Sequence, residues 1–338
     1  MKNLLIITSL VISAHIGFGQ DSSAIYFKHG MDQRESGLYQ VAVQSFEKSL
    51  SINPHNTDAY IQLALSNLEM RRTDKAILYL TKANQLRPDN KLIIQHLMSL
   101  YFDYHQFTKA IEMAEKCKTC DGATRILGIC YYQQEDYATA SGYLKEYLSK
   151  KPDDAEAEYS LARTYLDMEE YKKSLPYFEK AVTLKGASPA WSYELGLLYY
   201  TLEDYKHAVS SFDKAKEAGY NGGNDFFENL GYACIYIGDY TRGEDLLLNI
   251  WKRKPASTDI FRDMAEIFYK RKQYDKSLEY CQKLLEKDPK DAKALYQAGL
   301  VFQKRGEKDR GQQMCDAAIV MDPALESLRR KKELPGGM

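Results

Sequence analysis

The chain has 338 residues, a formal net charge of −1, 44% hydrophobic and 28% charged residues. The near-neutral balance gives no sign of a nucleic-acid or other polyelectrolyte partner. Length alone fits one to three globular domains.

The first element is a leader. Lys2 supplies a positive start, and Leu4 to Ile16 is a short apolar stretch interrupted by Thr8, Ser9, Ser13 and His15. Gly17-Phe18-Gly19 places small residues at −3 and −1 of a cut before Gln20, so residues 1–19 read as a secretory signal peptide. The stretch falls short of the roughly 20 apolar residues that span a bilayer. No cysteine follows the cut, which argues against a lipoprotein. The Gly-Phe-Gly-Gln ending resembles that of exported proteins of Bacteroidetes, which implies the periplasm as destination.

From residue 23 onward the chain repeats. Leu127-Gly128-Ile129-Cys130-Tyr131 returns 68 residues later as Leu195-Gly196-Leu197-Leu198-Tyr199, and 35 residues on as Leu230-Gly231-Tyr232-Ala233-Cys234. Pro54, Pro88, Pro152, Pro255, Pro289 and Pro323 lie near multiples of 34 apart, each where a helix must stop. This register gives nine repeats: 23–56, 57–90, 91–120, 121–154, 155–188, 189–222, 224–257, 258–291 and 292–325. The third is short by four residues, and Gly223 is an extra residue before the seventh.

Two columns set the helix packing. Position 8 reads Gly30, Ala64, Met98, Gly128, Ala162, Gly196, Gly231, Ala265 and Gly299, small in every repeat but the third. Position 20 reads Ala42, Ala76, Ala110, Ala140, Ser174, Ala208, Gly243, Ser277 and Gly311. Small residues facing each other let two helices approach closely, where larger ones would overpack. Position 11 supplies Tyr101, Tyr131, Tyr165, Tyr199, Phe268 and Phe302, and position 24 the opposing Phe46, Leu80, Leu144, Phe178, Phe212 and Leu247.

With Leu-Gly at 7–8, Tyr at 11, Ala at 20, an aromatic at 24 and Pro at 32, residues 23–325 resemble the tetratricopeptide repeat (TPR) family. The resemblance implies an all-α, right-handed superhelical solenoid of about nine helix-turn-helix repeats over 20–325. Residues 326–338 are expected to form a capping helix and tail, in which Leu325 to Lys332 is charged on most sides and Pro335-Gly336-Gly337 ends the run. His29 and Gln33 depart from the pattern in the first repeat, as terminal repeats do when one face meets water.

The resemblance also implies a working surface. Positions 2, 5, 9, 12 and 13 of each first helix line the concave groove. Eight of the 27 tyrosines fall there: Tyr132, Tyr159, Tyr193, Tyr200, Tyr232, Tyr236, Tyr269 and Tyr296. Tyrosine offers a large contact area with a polar tip, so these rings, with Arg163 and Arg262, are candidate anchors for a peptide or helix laid along the groove. The competing reading is that some of them pack against the neighbouring repeat. The groove set carries seven bases and ten acids, which disfavours nucleic acid. No repeat has Lys at 5 with Asn at 9, so the chaperone-tail clamp of the family is unmatched. Lys293, Lys304, Arg329, Arg330, Lys331 and Lys332 make the last repeat and tail basic, and membrane contact is expected only through that tail or through an assembly.

Cys130, Cys234, Cys281 and Cys315 fall at or beside core positions and read as buried small hydrophobes. Cys117-Lys118-Thr119-Cys120 sits in the shortened third repeat, and three readings fit it: a local disulfide tying off the loop, two structural thiols, or a redox or metal site. Zinc would need two further ligands in a matching motif, and a thioredoxin-like dithiol would need a βαβ context. No H-E-x-x-H, G-x-S-x-G or G-x4-G-K-[ST] occurs, so neither an enzyme nor a cofactor nor a small-molecule substrate is expected. The sequence therefore points to a protein-binding scaffold in a periplasmic or envelope assembly. The alternatives are a chaperone-like or regulatory module for exported or outer-membrane clients and, with less support, thiol–disulfide activity at Cys117/Cys120.

Overall fold

The computed structural model describes residues 22–253, 255 and 257–328, and among these every regular element is helical. The expected signal peptide over 1–19 and the basic run Arg329–Lys332 lie outside the described residues. The sequence reading carried the repeats through without a break. The chain instead groups into two compact units, divided between Lys185 and Gly186. The division falls where the fifth repeat has Gly186, in a left-handed conformation (φ 94°), in place of the proline that ends most other repeats.

The first unit holds α1 (22–35), α2 (Tyr39–Ile52), α3 (Thr57–Glu69), α4 (Thr73–Leu86), α5 (Lys91–Asp103), α6 (Phe107–Lys116), α7 (Ala123–Gln133), α8 (Tyr137–Lys150), α9 (Ala155–Asp167) and α10 (Tyr171–Ala181). The second holds α11 (Pro189–Thr201), α12 (Tyr205–Glu217), α13 (Asn224–Ile237), α14 (Tyr240–Arg253), α15 (Asp259–Lys270), α16 (Tyr274–Lys287), α17 (Ala292–Lys304) and α18 (Lys308–Met321). A 3-10 turn over Pro323–Leu325 follows, helical on to residue 328. Odd-numbered helices are the first of each pair. Within each unit every helix packs on the next, and α5, α7 and α9, like α11, α13, α15 and α17, also touch in succession.

The pair geometry follows from positions 8 and 24. A Cβ on Gly30 or Gly196 would stand 2.5 Å from the ring of Phe46 or Phe212, sixteen residues on. The third repeat reverses the sizes: Met98 occupies position 8 and Ala114 position 24, both fully buried. Where position 20 is serine its hydroxyl bonds back across the pair, Ser174 Oγ to the Ala162 carbonyl at 2.7 Å and Ser277 Oγ to that of Ala265 at 2.6 Å.

The turn within each pair is the same throughout. Position 15 has positive φ in all nine repeats: Gly37, Arg71, His105, Glu135, Glu169, Glu203, Gly238, Lys272 and Gly306. The next residue donates its N–H to the carbonyl of position 11, as in Asp136 to Tyr131 at 3.0 Å and Asp204 to Tyr199 at 2.9 Å. This is a helix-ending motif that satisfies otherwise orphaned carbonyls. Only three of the nine are glycine, so the sequence leaves most of these corners unmarked.

Between pairs, asparagine, aspartate or serine caps the next first helix: Asn56, Asn90, Asp154, Ser188 and Asp291 each accept from a backbone N–H one turn in. The first helices after the third, sixth and seventh repeats have no such side-chain cap, and the third repeat ends differently again. α6 stops at Lys116, Cys117 and Cys120 are joined as a disulfide with Cα atoms 5.3 Å apart, and Gly122 (φ 76°) starts α7. Cys130, Cys234, Cys281 and Cys315 are buried thiols outside any disulfide. Burial pushes Cys130 and Cys281 up to about 12 and Cys234 to about 11, so these stay protonated at neutral pH.

Candidate functional site: the first-helix face

The expected groove residues divide between the two units and are best taken one unit at a time. In the first unit Tyr132, on α7, donates its hydroxyl to Asp167 of α9 at 2.9 Å. Arg163 reaches the same carboxylate at 3.5 Å from one turn earlier. The half-buried Tyr159 meets Phe178 edge-on, ring centres 5.8 Å apart. Arg125 is fastened between Asp154, at 2.8 Å, and Glu156 of the following helix. Tyr132 and Arg125 join one repeat to the next, and Tyr159 and Arg163 are engaged within their own, so the first unit uses its predicted face largely on itself. One buried charge is not marked by the repeat pattern: Glu158 is 3% exposed and pairs with Lys180 at 2.7 Å.

In the second unit Tyr193 packs among Phe212, Tyr220 and Phe226 with ring centres 5.0–5.6 Å away, and accepts a bond from Asn229 at 3.1 Å. Tyr232 and Tyr296 correct the sequence expectation: they are 8% and 6% exposed. Tyr232, at position 9, faces the following repeat, and its hydroxyl donates to Asp263 of α15 at 2.8 Å. Tyr296, in the last repeat, shares a core cluster with Leu325 of the terminal turn. Arg262 is likewise committed, its two terminal nitrogens bonding both oxygens of Asp291 at 3.2 and 2.9 Å. Tyr269 is half-buried and lies 6.1 Å from Tyr274.

Tyr200 and Tyr236 behave differently. Both are half-buried, and with Tyr205 they form a ledge: Tyr205 stacks on Tyr236 at 4.1 Å, and Tyr200 meets both edge-on at 5.2 and 6.2 Å. Tyr205 lies outside the positions that the repeat pattern gives to the groove, so the sequence does not mark it for binding. The only available signal was that α12 begins one turn after Tyr200. Around the ledge lie carboxylates on α13 and α15. Burial, then the nearby Asp263 and Asp225, push the Glu228 carboxyl up. Burial and the neighbouring Glu266 and Asp259 do the same to Asp263, outweighing the bond from Tyr232. Burial also raises Tyr200 and Tyr205, so these two rings are neutral phenols. Lys270 is held to Glu266 at 2.6 Å.

This surface has contact area, hydrogen-bonding tips and negative potential. It brings together no nucleophile with a base. Among the described residues no group of three or more His, Cys, Asp and Glu is placed to hold a metal ion, and no helix is long and apolar enough to cross a membrane.

Models of known families match along the same helices. Two described as Tetratricopeptide repeat match residues 57–90 and 229–292, and one described as Anaphase-promoting complex, cyclosome, subunit 3 matches residues 133–215. Among solved structures the chain is similar to the TPR domain of P58(IPK), at 18% identity over 93% of this chain and 99% of that one (TM-score 0.29). It is similar to YrrB, described as a TPR protein with an unusual peptide-binding site, at 22% over 56% and 98% (TM-score 0.39). A tetratricopeptide repeat protein from Parabacteroides merdae ATCC 43184 matches at 20% over 62% and 82% (TM-score 0.38). At such TM-scores these likenesses add no weight to the repeat geometry. One repeat model covers the second helix pair end to end and the other runs from within α13 through α16, and on that ground the chain is a tetratricopeptide repeat protein, whose repeats indicate a protein–protein interaction scaffold.

Proposed function

We propose that the chain holds a segment of a partner protein along the first-helix face of its second unit, and positions that partner in an assembly outside the cytoplasm. The observation that carries this is the half-exposed ledge of Tyr200, Tyr205 and Tyr236 beside the carboxylates of Glu228 and Asp263. The other tyrosines of the predicted groove are engaged within their own repeat, with the following one or with the terminal turn, whereas the ledge presents ring faces and edges that a partner's side chains can cover. Aromatic rings of this kind supply contact area at small entropy cost, and the adjoining negative potential favours a partner with basic side chains nearby. Shape, stacking and hydrogen bonds then do the work, with no bond made or broken.

The test is co-purification from the native source, where a mature N-terminus at Gln20 is also expected. Tyr200→Ala and Tyr236→Ala should each lower the recovered partner at least about tenfold, as hot-spot truncations of roughly 1.4–2 kcal/mol do, while the melting temperature falls by only a few degrees. Unchanged recovery per folded molecule would sink the reading, and a retained Met1 would sink its compartment.

A further inference from the structure

At the far end of the same face lies a cleft of about 170 Å³. Its walls are Ala265 of α15, Cys281 and Leu284 of α16, Ala294 and Tyr296 of α17, and Leu325 and Leu328 of the terminal turn. Arg262, Glu266, Lys293 and Gln297 complete the lining. The space matches cavities of roughly 150 Å³ that take a benzene ring, so it has room for one aliphatic or aromatic side chain.

The polar groups at the cleft are not equally available. Arg262 is spent on Asp291 and Glu266 on Lys270. Lys293 is exposed and makes no ion pair among the described residues, and Gln297 Nε2 has no hydrogen-bond partner. What is left over is the Lys293 ammonium and the Gln297 amide NH2, a cation and a donor. An apolar pocket edged by such groups is complementary to an apolar side chain next to an acceptor of negative charge.

Resting on the reading above, we infer that this cleft is an anchor pocket for an aliphatic side chain of the partner's segment, with an Asp or Glu beside it facing Lys293 and Gln297. The tyrosine ledge and the cleft then grip one segment at two points, which fixes its direction along the face.

The probe is N-acetyl-Leu-Asp-N-methylamide, titrated into the full chain and followed by methyl NMR at Ala265, Leu284 and Ala294. Saturable shifts at these methyls are expected. N-acetyl-Gly-Asp-N-methylamide and N-acetyl-Leu-Lys-N-methylamide should bind at least tenfold more weakly. Lys293→Glu, at an exposed position that leaves the fold intact, should invert the preference between the Asp and Lys probes. Equal binding of all three probes, or no response to Lys293→Glu, overturns the proposal. Shifts that appear only in a Leu334→Ser chain would mean that the chain's own Glu333-Leu334 fills the cleft, and overturn it too. If Tyr236→Ala abolishes partner recovery while the cleft methyls never shift, the ledge stands and the cleft falls. If the probe binds as expected but Tyr236→Ala has no effect on recovery, the reverse holds.

Discussion

At the scale of single residues, the repeat is a rule about sums of sizes. Positions 8 and 24 share one space: Gly with Phe, Gly with Leu, Ala with Leu, Ala with Phe, Gly or Ala with Cys and, in the third repeat, Met98 with Ala114. Read one column at a time, Met98 is an exception. Read as a pair, it keeps the volume of the pair in bounds. Met98→Ala alone should leave a cavity and cost about 2–5 kcal/mol. Ala114→Leu alone should overpack and cost about 1–3 kcal/mol. Together they recreate the Ala64/Leu80 arrangement, so the double variant should lose less than the sum by about 1 kcal/mol or more in urea unfolding. Simple additivity would show that the two side chains do not share a space. The small columns were legible in the sequence because glycine and alanine have one common reason to recur there. The left-handed corner at position 15 was not, because Arg71, His105, Glu135, Glu169, Glu203 and Lys272 adopt it without being glycine. The surrounding helix pair imposes that conformation against the local cost of roughly 1–2 kcal/mol.

At the scale of helices, the side chains that a repeat pattern assigns to binding also tie repeats together. Arg125 and Arg262 both stand at position 5, and each grips the aspartate that caps the next first helix, Asp154 or Asp291. Burial alone would raise both carboxyls. Bonds from the arginines, backbone N–H groups and, for Asp154, Tyr147 outweigh it and hold them below the usual carboxylate range. A carboxyl depressed in the folded state stabilises above its unfolded pKa, about 3.9, and that stability is lost as pH falls through the folded value. Asp291→Asn keeps a good cap and removes the charge. It should cost about 1 kcal/mol at neutral pH, and its deficit relative to the parent should shrink below about pH 4 in thermal melts. A deficit that persists unchanged in acid would mean the pair contributes nothing through charge. Tyr132 and Tyr232 make the same point, since each spends its hydroxyl on an aspartate of the following repeat. The sequence marks such a tyrosine as facing the groove. It cannot show that the hydroxyl is already satisfied, because the partner lies 31 or 35 residues away.

At the scale of the whole chain, periodicity made the helix pairs readable almost to the residue, since each pair buries its face only against its neighbours. It carried no information about where the stack divides, because Gly186 replaces a proline without altering the count. It equally hid the ledge, which combines Tyr200 and Tyr236 from the predicted face with Tyr205 from outside it. The shortened third repeat was legible in outline: its missing residues and its C-x2-C lie together, and the structure closes that corner with the Cys117–Cys120 disulfide. The central claim is that the second unit works through its first-helix face. Site-specific photocrosslinking tests it most directly, with a photoreactive side chain placed at Tyr236 on α13 or at the exposed Lys252 on α14, each in the full chain within its native extract. The account predicts a crosslinked partner from position 236 and none from 252; crosslinking from 252 alone would contradict it.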